Sequence, residues 1–361
     1  MFREGEINVR LALQGHRIHS VDITSTRVAL PRRLTHGRAA AEVARTLPLL
    51  FSVCAKAQGA AAVSATEAAS GRAPDRGALA RRCDEVRLET VVELLTRLLI
   101  DWPRALGAHP DVSSVARARQ ANPQDVLPTC HLIAQQRVYG VAPSRWLDGA
   151  SLESLERWVA AASTLPAQSL LRLQREAANL GRSEVGPMPS ATADALYRVL
   201  PSFDADPTFC RTPDWLGAPV ETGALARRAR HPVVAAILQR DGNTVPARFV
   251  AQLVDLALWL APGGDEAAPA VRQHAAAEGT GIGIAETARG LLLHHATVVD
   301  GNVEHYRIIA PTEWNFHPAG AATQGLMHRP VSDAATARRD AGWLVQALDP
   351  CVAFAIEVAD A

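Results

Sequence analysis

The 361-residue sequence lacks the features that mark secreted, membrane-spanning or nucleic-acid-binding proteins. Its five cysteines are odd in number and have no short repeated spacing, so they predict no disulfide framework but a reducing, cytoplasmic location. Lys+Arg and Asp+Glu both number 37, which gives no electrostatic argument for nucleic acid. The charged start MFREGE and the short apolar runs predict neither a secretory signal nor a membrane span.

Aromatic residues are also scarce, at 5%, whereas alanine is abundant and the chain is 48% hydrophobic. This composition can bury a large core, and alanine together with leucine and arginine favours helix. The alternating segments INVRLAL and IHSVDITS, joined at Gly15–His16, predict an N-terminal β-hairpin. Further strands are predicted around LLLHHATVVDGNVEHYRII, with a turn at Asp300–Asn302. The fold class is therefore mainly α (α+β), with small β elements near the N- and C-termini.

The helical pattern begins at Arg38. Pro48 predicts a break, with a new helix that starts before Cys54. The segment RRCDEVRLETVVELLTRLLIDWP predicts an amphipathic helix that ends at Pro103. Residues 107–149 are irregular in pattern, and Ser151 is a candidate N-cap for the helix that follows.

Several polar residues could suggest further sites. On the amphipathic helix, Glu89 and Glu93 are expected to be solvated, with Glu93 paired to Arg97. His294 and His295 would point to opposite faces of a strand, so we expect His294 to pack or hydrogen-bond rather than bind a metal.

A lone cysteine is most often a small buried hydrophobic residue, and Cys83, Cys130 and Cys210 are interpreted in this way. Cys351 differs because it follows a rigid Asp349-Pro350 step near the end of the chain. Structural zinc needs about four ligands at short spacing, and no such group of residues is present.

The segments around Cys54 and Cys351 resemble the first and last metal motifs of the large subunit of nickel–iron hydrogenases. That family has C-G-x-C-x-x-x-H near its N-terminus and D-P-C-x-x-C-x-x-H at its C-terminus. Four further segments resemble family motifs in the same order: FREGE, ETGALAR, EGTGIGIAETARGLLLHH and APTEWNFHP. The resemblance spans the chain and implies a single domain, residues 1–361. Its parts are an N-terminal β-hairpin region (1–37), a helical body (38–278) and C-terminal strands with the Asp-Pro-Cys motif (279–361).

The departures from the family pattern decide what the resemblance implies. In the family, four thiolates hold nickel, and two of them bridge to an iron that carries cyanide and carbon monoxide. Cys54 matches a bridging thiolate and Cys351 a terminal one. The remaining ligand and histidine positions hold Phe51, Phe354, Gln58 and Glu357. Stable nickel binding is therefore not expected, since nickel in such a site needs soft sulfur ligands.

The iron side of the motif is better preserved. Arg289 and Thr312 match the family residues that hydrogen-bond the two cyanides, and a guanidinium and a hydroxyl suit such anionic acceptors. Glu4 matches the carboxylate of the family's proton relay. The sequence ends four residues after Glu357, so we expect it not to follow the proteolytic maturation of hydrogenase precursors.

Together these features resemble the HupK-type hydrogenase assembly proteins. The resemblance implies a non-catalytic scaffold or carrier for the iron-dicyano-carbonyl group during large-subunit maturation. The implied partners are a small HypC-like chaperone, the iron-ligand assembly complex and the immature large subunit. The alternative is a metal-free relative that acts as an interaction module. The quinone-site subunit of respiratory complex I resembles the same family and likewise keeps no metal. A functioning hydrogenase fits the lost ligands least.

Overall fold

The computed structural model describes residues 5–27, 30, 32–51, 53–189, 191–193, 195–196, 198–199, 208–261 and 270–360. Glu4 lies outside these residues. The α-helices are α1 (Ala40–Thr46), α2 (Ala55–Ala69), α3 (Arg76–Thr96), α4 (Trp102–Ala105), α5 (Val112–Gln120), α6 (Val126–Ile133), α7 (Pro143–Asp148), α8 (Leu152–Ala161), α9 (Leu165–Glu176), α10 (Ala224–Arg228), α11 (Pro232–Asp241), α12 (Val245–Leu260), α13 (Pro311–Asn315), α14 (Ala321–Leu326) and α15 (Ala334–Leu348). The strands are β1 (Glu6–Gln14), β2 (Arg17–Ser25), β3 (Val271–Ala277), β4 (Thr280–Thr287), β5 (Gly290–Val299), β6 (Asn302–Ile309) and β7 (Ala353–Asp360). The mainly helical class with small β elements near both termini is confirmed.

Two sheets flank the helical body. The predicted hairpin is present as antiparallel β1 and β2, and β7 joins it in parallel beside β1. The second sheet has the order β3-β4-β5-β6, and the predicted turn at Asp300 and Gly301 links its last two strands. Because Ala353 pairs with Glu6, the Asp-Pro-Cys motif directly before β7 lies beside the start of the hairpin.

The alanine-rich helix α2 lies directly on the second sheet. A Cβ atom at Gly283 of β4 would collide with the carbonyl oxygen of Ala61, and one at Gly281 would collide with the backbone nitrogen of Ala69. Only glycine on the strand and alanine on the helix allow backbones to approach this closely. The contact fixes the position of α2 and therefore of Cys54, which is its N-cap.

The core of the helical body is centred on α12, whose residues are almost all buried. Trp102 packs edge-on against Phe249 with ring centroids 5.3 Å apart, and its indole Nε1 donates to Gln252 Oε1 at 2.9 Å. The hydrogen bond satisfies an indole N–H that burial removes from water.

Three sequence-based element boundaries are wrong. The break predicted at Pro48 is present, since α1 ends at Thr46 and Leu47–Leu50 form a 3₁₀ turn, but α2 begins after Cys54 rather than before it. Pro103 does not end its helix: α3 continues through a π-helical turn (Arg97–Asp101) into α4, which ends two residues beyond Pro103. Residues 107–149, predicted to be irregular, hold α5, α6 and α7. By contrast, Ser151 caps α8 as predicted, with its hydroxyl accepting from the Ser154 N–H.

Among the described residues, none of the helices is both long enough and apolar enough to cross a bilayer.

Candidate metal centre

Cys351 is held by side chains from two distant parts of the chain. Its sulfur lies 3.1 Å from the Thr312 hydroxyl and 3.1 Å from Nη1 of Arg27, and its backbone N–H donates to Thr312 Oγ1 at 3.1 Å. Thr312 lies in the first turn of α13, so a short helix presents the hydroxyl to the motif. Thr312 and Cys351, both predicted from sequence, therefore lie in direct contact.

Arg27 is the residue that sequence reasoning missed. It follows β2 in a segment that matches no motif, and besides Cys351 it binds Glu313 of α13 at 3.2 Å. Both side chains are largely buried. Burial raises the pKa of Glu313, and the nearby Arg27 guanidinium opposes that rise. The sulfur of Cys351 therefore lies next to the positive charge of Arg27.

Cys54 begins a hydrogen-bonded chain into the protein interior. Gln58 Nε2 donates to the Cys54 sulfur at 3.7 Å, and Gln58 Oε1 lies 2.9 Å from His294 Nε2. His294 Nδ1 is 2.7 Å from the Tyr306 hydroxyl. With Gln58 Oε1 as acceptor, the ring donates from Nε2 and accepts at Nδ1 from Tyr306. His294 is thus a hydrogen-bonding residue, as expected.

The two predicted thiol ligands lie within electrostatic range of each other. The pKa of Cys54 is raised to about 12, mainly by burial and then by the charge of Cys351, while the Gln58 hydrogen bond opposes the rise. Cys54 is therefore a neutral thiol at neutral pH. A soft metal that binds there must displace its proton, which makes metal binding proton-coupled.

Arg289 lies in the two-residue turn between β4 and β5. Gly290 adopts φ +128°, and a Cβ there would collide with Thr222, so the turn packs tightly on the segment before α10. Arg289 Nη2 binds Glu93 at 3.1 Å, and its Nε lies 3.4 Å from Asp349 Oδ1. Although burial disfavours its charge, Asp349 and Glu93 raise the pKa of Arg289, with additional contributions from Cys351 and Cys54. Arg289 therefore lies within electrostatic range of both thiols.

Asp349, the first residue of the Asp-Pro-Cys motif, connects two arginines. It ends α15 with a left-handed backbone (φ +53°). Its Oδ1 lies 2.7 Å from Arg97 Nε, and Arg97 also binds Asp101 at 2.5 Å. The motif is therefore anchored by ion pairs on one side and by Thr312 on the other, which fixes the orientation of Cys351.

The expectation for Glu89 and Glu93 is wrong. Glu93 binds Arg289 and Arg119 instead of Arg97, and its side chain is only 13% exposed. Glu89 accepts from the backbone N–H groups of Lys56 and Ala57 at 2.9 and 3.1 Å, in the first turn of α2. The predicted i,i+4 pair does not form because this face of α3 is covered by other parts of the chain. Arginines from those parts, Arg119 and Arg289, bind Glu93 instead.

An open cleft of about 500 Å³ lies over these groups. Its lining includes Arg97, Arg289, Asp349, Cys351 and Val53, which precedes Cys54. Phe354, at a lost thiolate position, also lines this cleft and is 39% exposed. The other substituted C-terminal position, Glu357, is on the exposed face of β7 and pairs with Arg10 at 3.1 Å.

The donor set fits an iron that brings its own ligands better than a bare metal ion. No group of three or more His, Cys, Asp or Glu side chains within the described ranges could hold a metal ion. A bare ion would need more protein ligands than the two thiols supply. Iron already bound by diatomic ligands needs fewer, and Arg289 and Thr312 can act as donors to anionic ones.

The fold is that of a nickel–iron hydrogenase large subunit. The chain aligns with the Ni-Fe-Se hydrogenase of D. vulgaris Hildenborough in the as-isolated oxidized state at a TM-score of 0.61 and 16% identity, over 94% of each chain. The reduced, active enzyme of Desulfomicrobium baculatum gives 0.59 and 16%, over 94% of this chain and 95% of that one. Residues 261–357 match the model of the nickel-dependent hydrogenase family.

Proteins with higher sequence identity than these solved structures identify the family within this fold. The chain is 35% identical to the hydrogenase expression/formation protein HoxV of Cupriavidus necator, over 94% of this chain and 93% of that protein. It is 33% identical to HupK of Azotobacter vinelandii, over 99% of each. The chain belongs to the HoxV/HupK family of hydrogenase expression/formation proteins.

Proposed function

We propose that this protein is a non-catalytic scaffold or carrier for the iron-dicyano-carbonyl group during maturation of a nickel–iron hydrogenase large subunit. The observation that carries the proposal is that Arg289 and Cys351 line one cleft and that Thr312 contacts the Cys351 sulfur. Cys54 lies within electrostatic range of both Cys351 and Arg289. The names of its relatives support a role in hydrogenase expression or formation. The iron group is cargo here, held during transfer and then released.

Different residues of the chain would bind different parts of the iron group. Cys54 and Cys351 would supply thiolate ligands to iron, and Arg27 would keep a positive charge beside Cys351. Arg289 and Thr312 would donate to the cyanide nitrogens. The thiols bind iron only after they lose their protons, so loading and release would be coupled to proton transfer.

The open cleft also suits a protein that exchanges cargo with others. A catalytic site excludes water, whereas this cleft opens to solvent along the Asp-Pro-Cys segment and the start of β7. We propose that a HypC-like chaperone or the iron-ligand assembly complex delivers the group there. The immature large subunit would receive it, and these encounters would take place in the cytoplasm.

A metal-free interaction module is the second candidate, and one observation favours it. Arg289 is already paired with Glu93 and Asp349, and Cys351 already has two partners. These groups thus have partners without any cargo, as a purely structural role would require, although Arg289 Nε and Asp349 Oδ1 lack a hydrogen-bond partner among the described residues.

Infrared spectroscopy separates the two candidates. Cyanide and carbon monoxide on iron absorb in a window free of protein bands, so protein purified without oxygen from hydrogenase-producing cells should show these bands. Arg289→Lys keeps the charge but loses the planar fork, and we expect weaker bands per mole of protein. Arg157→Gln, a change at an exposed arginine of α8, serves as the control. No bands in any preparation would favour the metal-free module.

A further inference from the structure

A second cleft, of about 570 Å³, lies apart from the cysteine cleft and shares no lining residue with it. Its floor is one face of the second sheet, and one wall is α10 with the residues just after it. The other wall is formed by residues 187–189, 191 and 192. Its volume falls in the range of small-molecule sites, about 300–1,000 Å³. Its lining includes residues of two hydrogenase-like segments, ETGALAR and EGTGIGIAETARGLLLHH, but the motifs assign no ligand to this cleft.

The lining of this cleft carries an excess of positive charge. Arg227 and Arg272 bind the two oxygens of Glu286, at 2.6 and 3.3 Å, and Arg227 also binds Asp255 at 2.9 Å. Both guanidinium groups are therefore fixed in place. Arg230 also lines the cleft, is exposed, and has no carboxylate within 4.0 Å in the part of the chain that the structure describes. Three guanidinium groups thus face a single lining carboxylate.

The floor also holds polar nitrogens whose hydrogen bonds are incomplete. Arg272 and His274 are two residues apart on β3 and therefore point to the same face. Arg272 Nε and His274 Nε2 are buried, and neither has a hydrogen-bond partner among the described residues. Burial and the charge of Arg272 lower the pKa of His274, so the ring is neutral and can donate one N–H. Buried polar atoms of this kind are usually satisfied, by ordered water or a bound ligand where the protein offers no partner.

Part of the lining is apolar. Met188, between Pro187 and Pro189, lines the cleft together with Ala226 of α10 and Leu291 of β5, and the three belong to one apolar cluster. In the strand register, Leu291 pairs directly with Glu286, so the apolar surface borders the charged one. An occupant must therefore combine a negatively charged head with an apolar body.

We propose that this cleft binds a small organic oxyanion, a carboxylate or a phosphate ester, whose head contacts Arg230, Arg272 and His274. Its apolar part would pack between Met188 and Leu291. The rigid Arg227–Glu286 pair would set the position of the head by fixing Arg272.

Calorimetric titration of the purified chain with benzoate, acetate and inorganic phosphate, at constant ionic strength, tests this proposal without any iron cargo. We expect saturable binding that Arg230→Gln weakens by about tenfold, the effect of one charge-assisted hydrogen bond. Arg157→Gln, on α8 and outside the cleft, should bind as the unmodified chain does. Because Arg230 is exposed, we expect its replacement to leave the fold intact. His274→Gln is a second variant, on the cleft floor, and should also weaken binding.

The three ligands separate the possible head groups. Tighter binding of benzoate than of acetate would show that the apolar wall is used, and tighter binding of phosphate than of either would assign the head to phosphate. Absence of saturable binding by all three, or equal binding by the Arg230→Gln and Arg157→Gln variants, would overturn the proposal. The scaffold function would be unaffected by that failure.

Discussion

The guanidinium of Arg27 lies 3.1 Å from the sulfur of Cys351, a residue 324 positions later in the chain. Parallel pairing of β1 with β7 produces this proximity, because the segment after the hairpin and the segment before β7 then meet at the same end of the sheet. The contact gives Cys351 a positively charged neighbour, Arg27, which lies outside every motif identified in the sequence.

Replacing Arg27 by Gln should weaken retention of the iron group and destabilise the fold by about 1–3 kcal/mol. The change removes the charge beside Cys351 and leaves Glu313 with less compensation in a buried setting. Infrared band intensity per mole of protein and urea denaturation measure the two effects. Arg10→Gln, at an exposed arginine of β1, should change neither. Full retention in Arg27→Gln would show that this contact plays no part in holding cargo.

Gly283→Ala should destabilise the protein by about 1–3 kcal/mol, because the new Cβ must push α2 away from β4. Since Cys54 caps α2, retention of the iron group should fall as well. Gly342→Ala in α15 is the matched control, since its Cβ meets only Ile356 Cδ1, at 3.7 Å. Helix propensity predicts that this control is neutral or stabilising by up to about 1 kcal/mol. If the two glycine variants are equally stable, the close helix–strand contact is not a packing constraint.

Local patterns predicted the hairpin and the cap of α8, because alternation and capping are short-range signals. The resemblance to hydrogenase motifs assigned Thr312 and Cys351 to one site, and the structure brings them into contact. By contrast, the parallel β1–β7 pairing joins the two ends of the described chain and leaves no local trace. The same holds for the partners of Glu93, where Arg289 replaces the predicted Arg97. The two-residue turn that carries Arg289 is visible in the Gly-rich pattern, but its ion pairs are not.

Stability should fall on acidification because of His294. Burial lowers the pKa of His294 to about 3, from an ordinary value of 6.5. Between these two values the unfolded chain binds a proton at this position and the folded protein does not. The free energy of unfolding therefore falls as pH decreases from about 6.5 to about 3, by up to about 1.4 kcal/mol per pH unit.

The His294→Gln variant should show a shallower pH dependence, by close to one proton over this window, since its amide can still bond Gln58 and Tyr306 but does not titrate. Urea denaturation at several pH values measures the slope. His305→Gln, at an exposed position of β6, is the control and should match the unmodified protein. Parallel profiles for His294→Gln and the unmodified chain would contradict the assignment of this proton to His294.

Cys54→Ser should be the most damaging single change for hydrogenase maturation, and Cys351→Ser should damage it less. A serine hydroxyl stays protonated at neutral pH and is a poor substitute for a soft thiolate. Cys54 matches the position that bridges to iron, whereas Cys351 matches one that serves nickel alone. Hydrogenase activity in an assembly-deficient strain complemented with each variant measures the order. Full activity with both variants would mean that the thiols only pack, and the metal-free module would be favoured. If only Cys351→Ser fails, iron is held by the Asp-Pro-Cys segment, where Arg27 and Thr312 already contact the sulfur.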